Sequence, residues 1–501
     1  AWSLSSPPFR VLWLPRRLAV MLGSLIRPGS EARAGGGACT VCVRSMIRVL
    51  FLLAAAETSY AKVVDYQADA GAVPCEKTFW KSCDSKTSDA EDNTAKMNTA
   101  LAALAPGDVL KVPNATYLVM GGVYASGLTN ATLQIDGTLL WSDDTKAWPT
   151  EVDKHNKTTS MPITAMTFDD TVGLAITSSG TGLLNGNGAA WWGLPGIGYL
   201  VRGKNRPPLM SINSARNFLL ERIDFMQAPR FTFISTSLKN ATIRHCHVDS
   251  RRTSSDSHGA IDLTAFNTDG FDVSGQDIHI HDCSVWNQDD TFCIKASQDE
   301  PTANVLIENV QASGVGLSIG SISAKTVENI TFRNVVMHHT SKGVYIKFNA
   351  KAAKAPGGVI RNVTYENIYI DKPSSWPIWI GPQQAGIKED GQAYNPCTGD
   401  PCSLCWPTLS TAKCPGVAAL LDGLTLRNIT IKKPSTSPGV IIGNSSVPMR
   451  NIVFDGVTFI DPPADGAFGS DYFHCEGVQG GVAKGGTWPV PPCFTNATAR
   501  L

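Results

Sequence analysis

From residue 215 onward the chain repeats one pattern, and that pattern limits what it can fold into. Segments 216–225, 239–248, 328–337, 361–370, 422–431 and 450–459 each hold two short runs of alternating apolar and polar residues. A polar bend, often Arg-Asn, joins the two runs. Alternation with period two marks strands with one buried face. Recurrence every roughly 20–35 residues marks a solenoid of short strands. No repeat contains a ten-residue stretch of 3.6 periodicity, so helical solenoids are excluded. A propeller would need about four strands per 40–45 residues. The expectation is an all-β chain, a single-stranded right-handed parallel β-helix. The bend Asn recurs at one place in the repeat, which predicts stacked Asn ladders. One N-terminal helix is expected at 92–104, with Asp92 as N-cap and Ala95, Met97, Leu101 and Leu104 near one face. It would cap the open end of the coil.

Composition agrees. The apolar share of 43% can fill a large core, and 45 Gly with 30 Pro suit a fold of many turns. The 43 basic and 43 acidic side chains cancel. A nucleic-acid binder would need a net basic surface, so that class is set aside.

The balance hides an asymmetry. Residues 1–61 carry seven arginines and two acids, so the rest of the chain is acidic by five charges. Within that stretch, Met46-Ile47-Arg48 precedes an apolar run over 49–56, and Ser59-Tyr60-Ala61 follows. A charged start, a short apolar centre and a small-residue end describe a secretory signal peptide over 46–61. The run is too short to span a bilayer. Residues 1–45 stay unassigned, a targeting extension or untranslated sequence. Residues 62–501 form the expected β-helix domain, secreted to the extracellular space or cell wall and free of the membrane after cleavage. Nine N-x-S/T sequons begin at Asn114, Asn130, Asn156, Asn240, Asn329, Asn362, Asn428, Asn444 and Asn496. Several lie inside the strand repeats, where Asn has a structural use instead. Of 13 cysteines, Cys75/Cys83 and Cys475/Cys493 are read as pairs. The cluster Cys397, Cys402, Cys405 and Cys414 is read as two disulfides rather than a metal site, because no His lies near it. Cys246, Cys283 and Cys293 sit in strand-like runs as small apolar residues.

Acidic residues concentrate in two adjacent coils. Asp269 follows Asn267-Thr268, and Asp289-Asp290 follow Asn287-Gln288. They are one coil apart, and stacked coils lie about 4.8 Å from each other. Carboxylates that close push one pKa up, leaving a protonated acid beside an ionised base. Glycosidic cleavage needs that pair. Spacing alone equally allows a solvated turn or a calcium site. A Gly-rich stretch at 314–321 and Gly343-Val344-Tyr345-Ile346-Lys347 follow at coil intervals. Lys347 beside the carboxylates suits an anionic sugar.

In this order, Asn267-Thr268-Asp269, Asn287-Gln288-Asp289-Asp290, 314–321 and 343–347 resemble glycoside hydrolase family 28, the polygalacturonase family. Upstream pieces at 133–139, 182–188, Trp191-Trp192 and 206–209 agree, as does 377–380 downstream; the resemblance covers about residues 62–460. It implies a right-handed parallel β-helix and an inverting hydrolase of pectic polysaccharide. Asp289 would be the general acid, and Asp269 and Asp290 would activate water. Asn267 would fix the carboxylates, Lys347 would bind a galacturonate carboxylate, and Tyr345 and Gln288 would complete substrate binding. No metal or organic cofactor is implied, and a monomer is expected.

Two positions depart from the family. Val315 stands where it usually has His, and Tyr345 where it usually has Arg. Val cannot titrate, and Tyr lacks the guanidinium fork that clamps a carboxylate. A rhamnogalacturonan or xylogalacturonan is therefore a competing substrate. A β-helix polysaccharide lyase and a non-catalytic pectin-binding protein are further alternatives. His338 and His339 are weighed as replacement imidazoles, with a surface bend as their more ordinary place. Trp191 and Trp192 are weighed as sugar platforms, with packing preferred.

Overall fold

The computed structural model describes residues 61–75, 83, 87–152, 157–180, 182–193, 205–252, 265–349, 357–384, 416–465 and 471–497. The signal-peptide segment up to residue 60 and the Cys397–Cys414 cluster lie outside them. From Val63–Asp65 to Phe494–Asn496 the described residues form a stack of parallel strands, among which Thr150–Val152 and Thr158–Pro162 pair antiparallel. It is the expected parallel β-helix.

Each coil gives one strand to an 11-stranded parallel sheet. Register ties Phe233, Phe271, Phe292, Leu317, Val344 and Ile378 into one row, all fully buried. The Phe271 and Phe292 rings stack with centroids 5.5 Å apart. Such a contact adds about 0.5–1.5 kcal/mol beyond burial. Val273, Ile294, Ile319, Ile346 and Ile380 form a second inward row two positions on. Between them run Asp272, Cys293, Ser318, Tyr345 and Trp379, which point to the other face. That outer row and the turns just before it carry the candidate site.

The opposite wall is built from long bent strands such as Thr326–His338 and Val359–Asp371. Their bends are the predicted ladders. Asn334, Asn367 and Asn428 each donate from Nδ2 to the Oδ1 one coil earlier, at 3.1, 3.1 and 2.9 Å. A second ladder runs through Asp277, Asn304, Asn329 and Asn362 at 2.9, 3.2 and 2.8 Å. All of these have positive φ, a conformation Asn and Asp tolerate better than other side-chain-bearing residues. Four sequon asparagines, Asn240, Asn329, Asn362 and Asn428, donate in such stacks.

The helix spans Thr87–Ala102, five residues earlier than expected at its start. Asp92 is inside it, exposed, and paired with Lys96 rather than capping. Ala95 faces solvent. The buried face is partly polar for a reason that periodicity does not report. Asn93 Nδ2 donates to Val73 O and Leu118 O, Thr94 Oγ1 to Met120 O, and Asn98 Nδ2 to Gly122 O. These side chains occupy carbonyls along the first coil that would otherwise be left open. Cys75–Cys83 and Cys475–Cys493 are disulfide-bonded, with Cα atoms 5.6 and 5.8 Å apart. Cys246, Cys283 and Cys293 are free and buried. Trp191 and Trp192 are buried, with Trp191 edge-on to Trp148 and Trp192 Nε1 donating to Ala228 O, so packing is their role.

Candidate active site

The site lies in the turns entering the 11-stranded sheet. Counting two residues back from the Phe271 row gives Asp269, Asp290, Val315, Lys342 and Trp376 in successive coils. One residue past the isoleucine row gives Lys295 and Lys347. Acidic and basic side chains thus converge because the repeat places them at matching coil positions.

The turns are tied tightly. Asn287 Nδ2 donates to Thr268 O and to Asp290 O, both at 2.8 Å, joining the two acidic coils. Thr268 Oγ1 accepts from the Gln288 N–H at 3.1 Å. Arg206, fully buried, donates to Phe266 O at 2.6 Å and so holds the residue before Asn267. Gly314 is required beneath Asp289. A Cβ there would lie 2.1 Å from Asn287 Oδ1 and 2.5 Å from Asp289 O.

Oxygens of Asp269, Asp289 and Asp290 lie within 4.8 Å of one another, and all three residues are buried. Their environments differ. Asp289 accepts from the Asn267 N–H and Nδ2 at 3.1 and 3.3 Å, and from the Asp290 N–H at 2.8 Å. Burial, then the neighbouring Asp290, push its carboxyl up to about 6. For Asp290 burial acts the same way, but Lys347, Lys295 and Ser318 outweigh it and hold the carboxyl below the usual range. Lys347 Nζ is 2.5 Å from Asp290 Oδ2, and Ser318 Oγ donates to Oδ1 at 2.7 Å. Asp269 is pushed well up by burial, then by Asp289 and Asp272. Asp272 rises to about 6 through burial, although Lys295 Nζ is 3.2 Å away.

The other predicted residues lie around these carboxylates as follows. Asn267 holds Asp289 from a left-handed backbone, φ 61°. Gln288 is buried between the acidic turns, with its backbone bound to Thr268. Lys347 is buried and engaged by Asp290. The Tyr345 ring lies 4.4 Å from Lys347 Nζ and 4.9 Å from Lys342 Nζ. Val315 packs with Tyr345, Trp376, Trp379, Val440 and Ile442 in a small apolar cluster. His338 is exposed, and His339 Nε2 faces Lys372 Nζ at 3.3 Å; neither bonds to the three carboxylates.

Sequence reading missed Asp272, Lys295, Ser318, Lys342 and Arg230. Lys295 Nζ lies 3.2–3.8 Å from Asp272, Asp269 and Asp290. Lys342 is 1% exposed, with its ammonium 4.9 and 5.2 Å from the Tyr345 and Trp379 ring centroids. Burial, then Lys347, depress its pKa to about 7. Aligning coils by register would have found all of these, because each shares a row with a residue already singled out. Three carboxylates this close could also share a divalent cation. Here Lys295 and Lys347 already bring positive charge to them.

Residues 108–398 match the model of glycosyl hydrolases family 28. The chain belongs to that family. Curated relatives include a probable endo-xylogalacturonan hydrolase A of Aspergillus oryzae, 26% identical over 293 residues, 57% of this chain and 66% of that one. An exopolygalacturonase of Cochliobolus carbonum is 27% identical over 298 residues, 56% of this chain and 62% of that one. The chain thus spans just under two thirds of the length of these relatives. Among solved structures, the family 28 exopolygalacturonase of Yersinia enterocolitica superposes with a TM-score of 0.56 at 18% identity, covering 85% of this chain and 78% of the other. The polygalacturonase of Erwinia carotovora gives 0.55 at 21%, covering 81% and 96%. At those identities the likeness is one of fold. Among the described residues no helix is long and apolar enough to cross a membrane.

Proposed function

We propose that this family 28 protein is a secreted glycoside hydrolase that cleaves α-glycosidic bonds in a pectic polysaccharide. The reading is carried by three adjoining buried carboxylates, of which Asp290 is ion-paired to Lys347 and Asp289 is not. Asp290, ion-paired to Lys347, stays ionised, while Asp289 holds its proton to about pH 6. Asp289 protonates the leaving glycosidic oxygen, and the ionised Asp290 takes the proton of the attacking water, which the carboxyl of Asp269 helps to position. Asn267 orients Asp289 through two hydrogen bonds. The names of the relatives support a polymer rich in galacturonate, with homogalacturonan and xylogalacturonan as the first two to try.

Family resemblance implies inversion at the anomeric carbon. The carboxylate oxygens are closer than the roughly 6.5–9.5 Å usual for inverting enzymes. The anomer of the first product, read by NMR, decides the stereochemistry. The reading itself is tested by release of reducing ends from both polymers. It requires release by the parent and loss in Asp289→Asn. Unchanged activity in that variant overturns the assignment. Unsaturated products that vanish with a chelator would make the protein a lyase.

A further inference from the structure

Two of the cations around the aspartates are committed. Lys347 is ion-paired with Asp290, and Lys295 bridges Asp272, Asp269 and Asp290. Two others are not. Among the described residues, no carboxylate oxygen lies within 4.0 Å of Lys342 or of Arg230. Lys342 is almost fully buried, its ammonium seated against two aromatic rings. Arg230 lies over the Phe231 ring at 4.3 Å, and its Nε is buried without a hydrogen-bond partner. A buried cation is costly unless something anionic meets it.

Their places in the stack are informative. Arg230 precedes the Phe233 strand, one coil before Asp269. Lys342 precedes the Val344 strand, two coils after Asp290. Four coil steps separate them, roughly 19 Å at about 4.8 Å per step. The three aspartates lie between. Charge reaches inward from both ends: Arg230 acts on Asp269 and Asp272, and Lys342 on Asp290 and Asp289.

We propose that Arg230 and Lys342 are carboxylate-recognition residues on opposite sides of the aspartates, and that the ligand is a chain bearing at least two uronate groups that spans Asp289. Lys347 then serves Asp290, and Lys342 takes the carboxylate-binding part that the family resemblance gives to Lys347. No monosaccharide bridges the two cations, so the ligand is an oligomer or polymer. This rests on the hydrolase reading for its ligand class, but binding can be measured without turnover.

The test places Arg230→Gln, Lys342→Met and the pair in an Asp289→Asn background. Hexagalacturonate and its fully methyl-esterified form are titrated by calorimetry. Each single change should weaken binding of the acid about tenfold and the pair about a hundredfold, since distant sites add. Binding of the ester should be the same in all four proteins. Equal losses for acid and ester, or no loss, overturns the proposal. Lys342→Met should melt no lower than its parent, because it removes a buried charge without a partner. A lower melting temperature makes Lys342 a structural residue and overturns its part. Reducing-end release by the unsubstituted protein is assayed separately. Charge-dependent binding without turnover would sink the hydrolase reading and leave this one standing.

Discussion

Two columns of polar residues climb this β-helix, and they obey opposite rules. On one wall, Asn334, Asn367 and Asn428 stack at the bends, exposed and neutral, each bonded to the residue one coil earlier. At the turns into the other sheet, Asp269 and Asp290 stack at the same coil spacing, buried and ionisable. An amide donates and accepts, so identical amides satisfy one another at every step. An ionised carboxylate only accepts, so a stack of them needs protons or lysines between. The Asn column is therefore self-sufficient. The Asp column is held by Lys347 and Lys295, and the share is unequal. That inequality leaves Asp290 ionised while the carboxyls of Asp269 and of the neighbouring Asp289 are pushed up.

Asp289→Asn should lower turnover by about 10³-fold or more, measured as reducing ends. In the parent, kcat/KM should fall as pH rises through about 6, because the acid is then ionised.

Lys347→Met should cost about 3–5 kcal/mol in urea unfolding, since it leaves Asp290 buried without its partner. The same change should raise the Asp290 carboxyl and shift the pH profile. If stability is untouched, the lysine does not hold the column.

Asp289→Asn should also stabilise the fold, by on the order of 2–3 kcal/mol above pH 6. The folded carboxyl titrates near 6 and the unfolded one near 4. Between these values the folded state keeps a proton that the unfolded state has lost. The parent's stability thus falls as pH rises from 4 to 6, and the variant escapes that loss. Below pH 4 this charge-linked difference between the two should vanish.

Asn334→Ala should cost only about 1–2 kcal/mol, from two exposed hydrogen bonds and a left-handed backbone at φ 55°. Asn334→Gly should recover the backbone part. A loss as large as that of Lys347→Met would mean the two columns are equally stressed.

Much of this was legible beforehand. The alternating runs predicted the strands, and the recurring Asn predicted the ladders. Asp269, Asp289 and Asp290 are legible because two acidic turns lie 20 and 21 residues apart, about one coil, and their roles follow from the family resemblance. Asp92 was misjudged as a cap because the helix's buried face is polar: Asn93 and Thr94 are inside to bond coil carbonyls, which apolar periodicity does not register. Lys342 was missed because a lone Lys reads as a surface residue. Its row is visible only once the coils, of 21, 25, 27 and 34 residues between Phe271, Phe292, Leu317, Val344 and Ile378, are aligned by pairing.

The amino-acid sequence alone carries the repeat, hence the parallel β-helix, and the identity of three aspartates in two adjacent coils. Alternation and turn chemistry are local, so they survive in one dimension. Only the tertiary structure decided which charges neutralise which. Lys347 is far from Asp290 along the chain yet within a hydrogen bond of it, while the Lys342 ammonium is buried with no such partner among the described residues. Unequal loops between coils erase that pairing from the sequence, and strand register restores it.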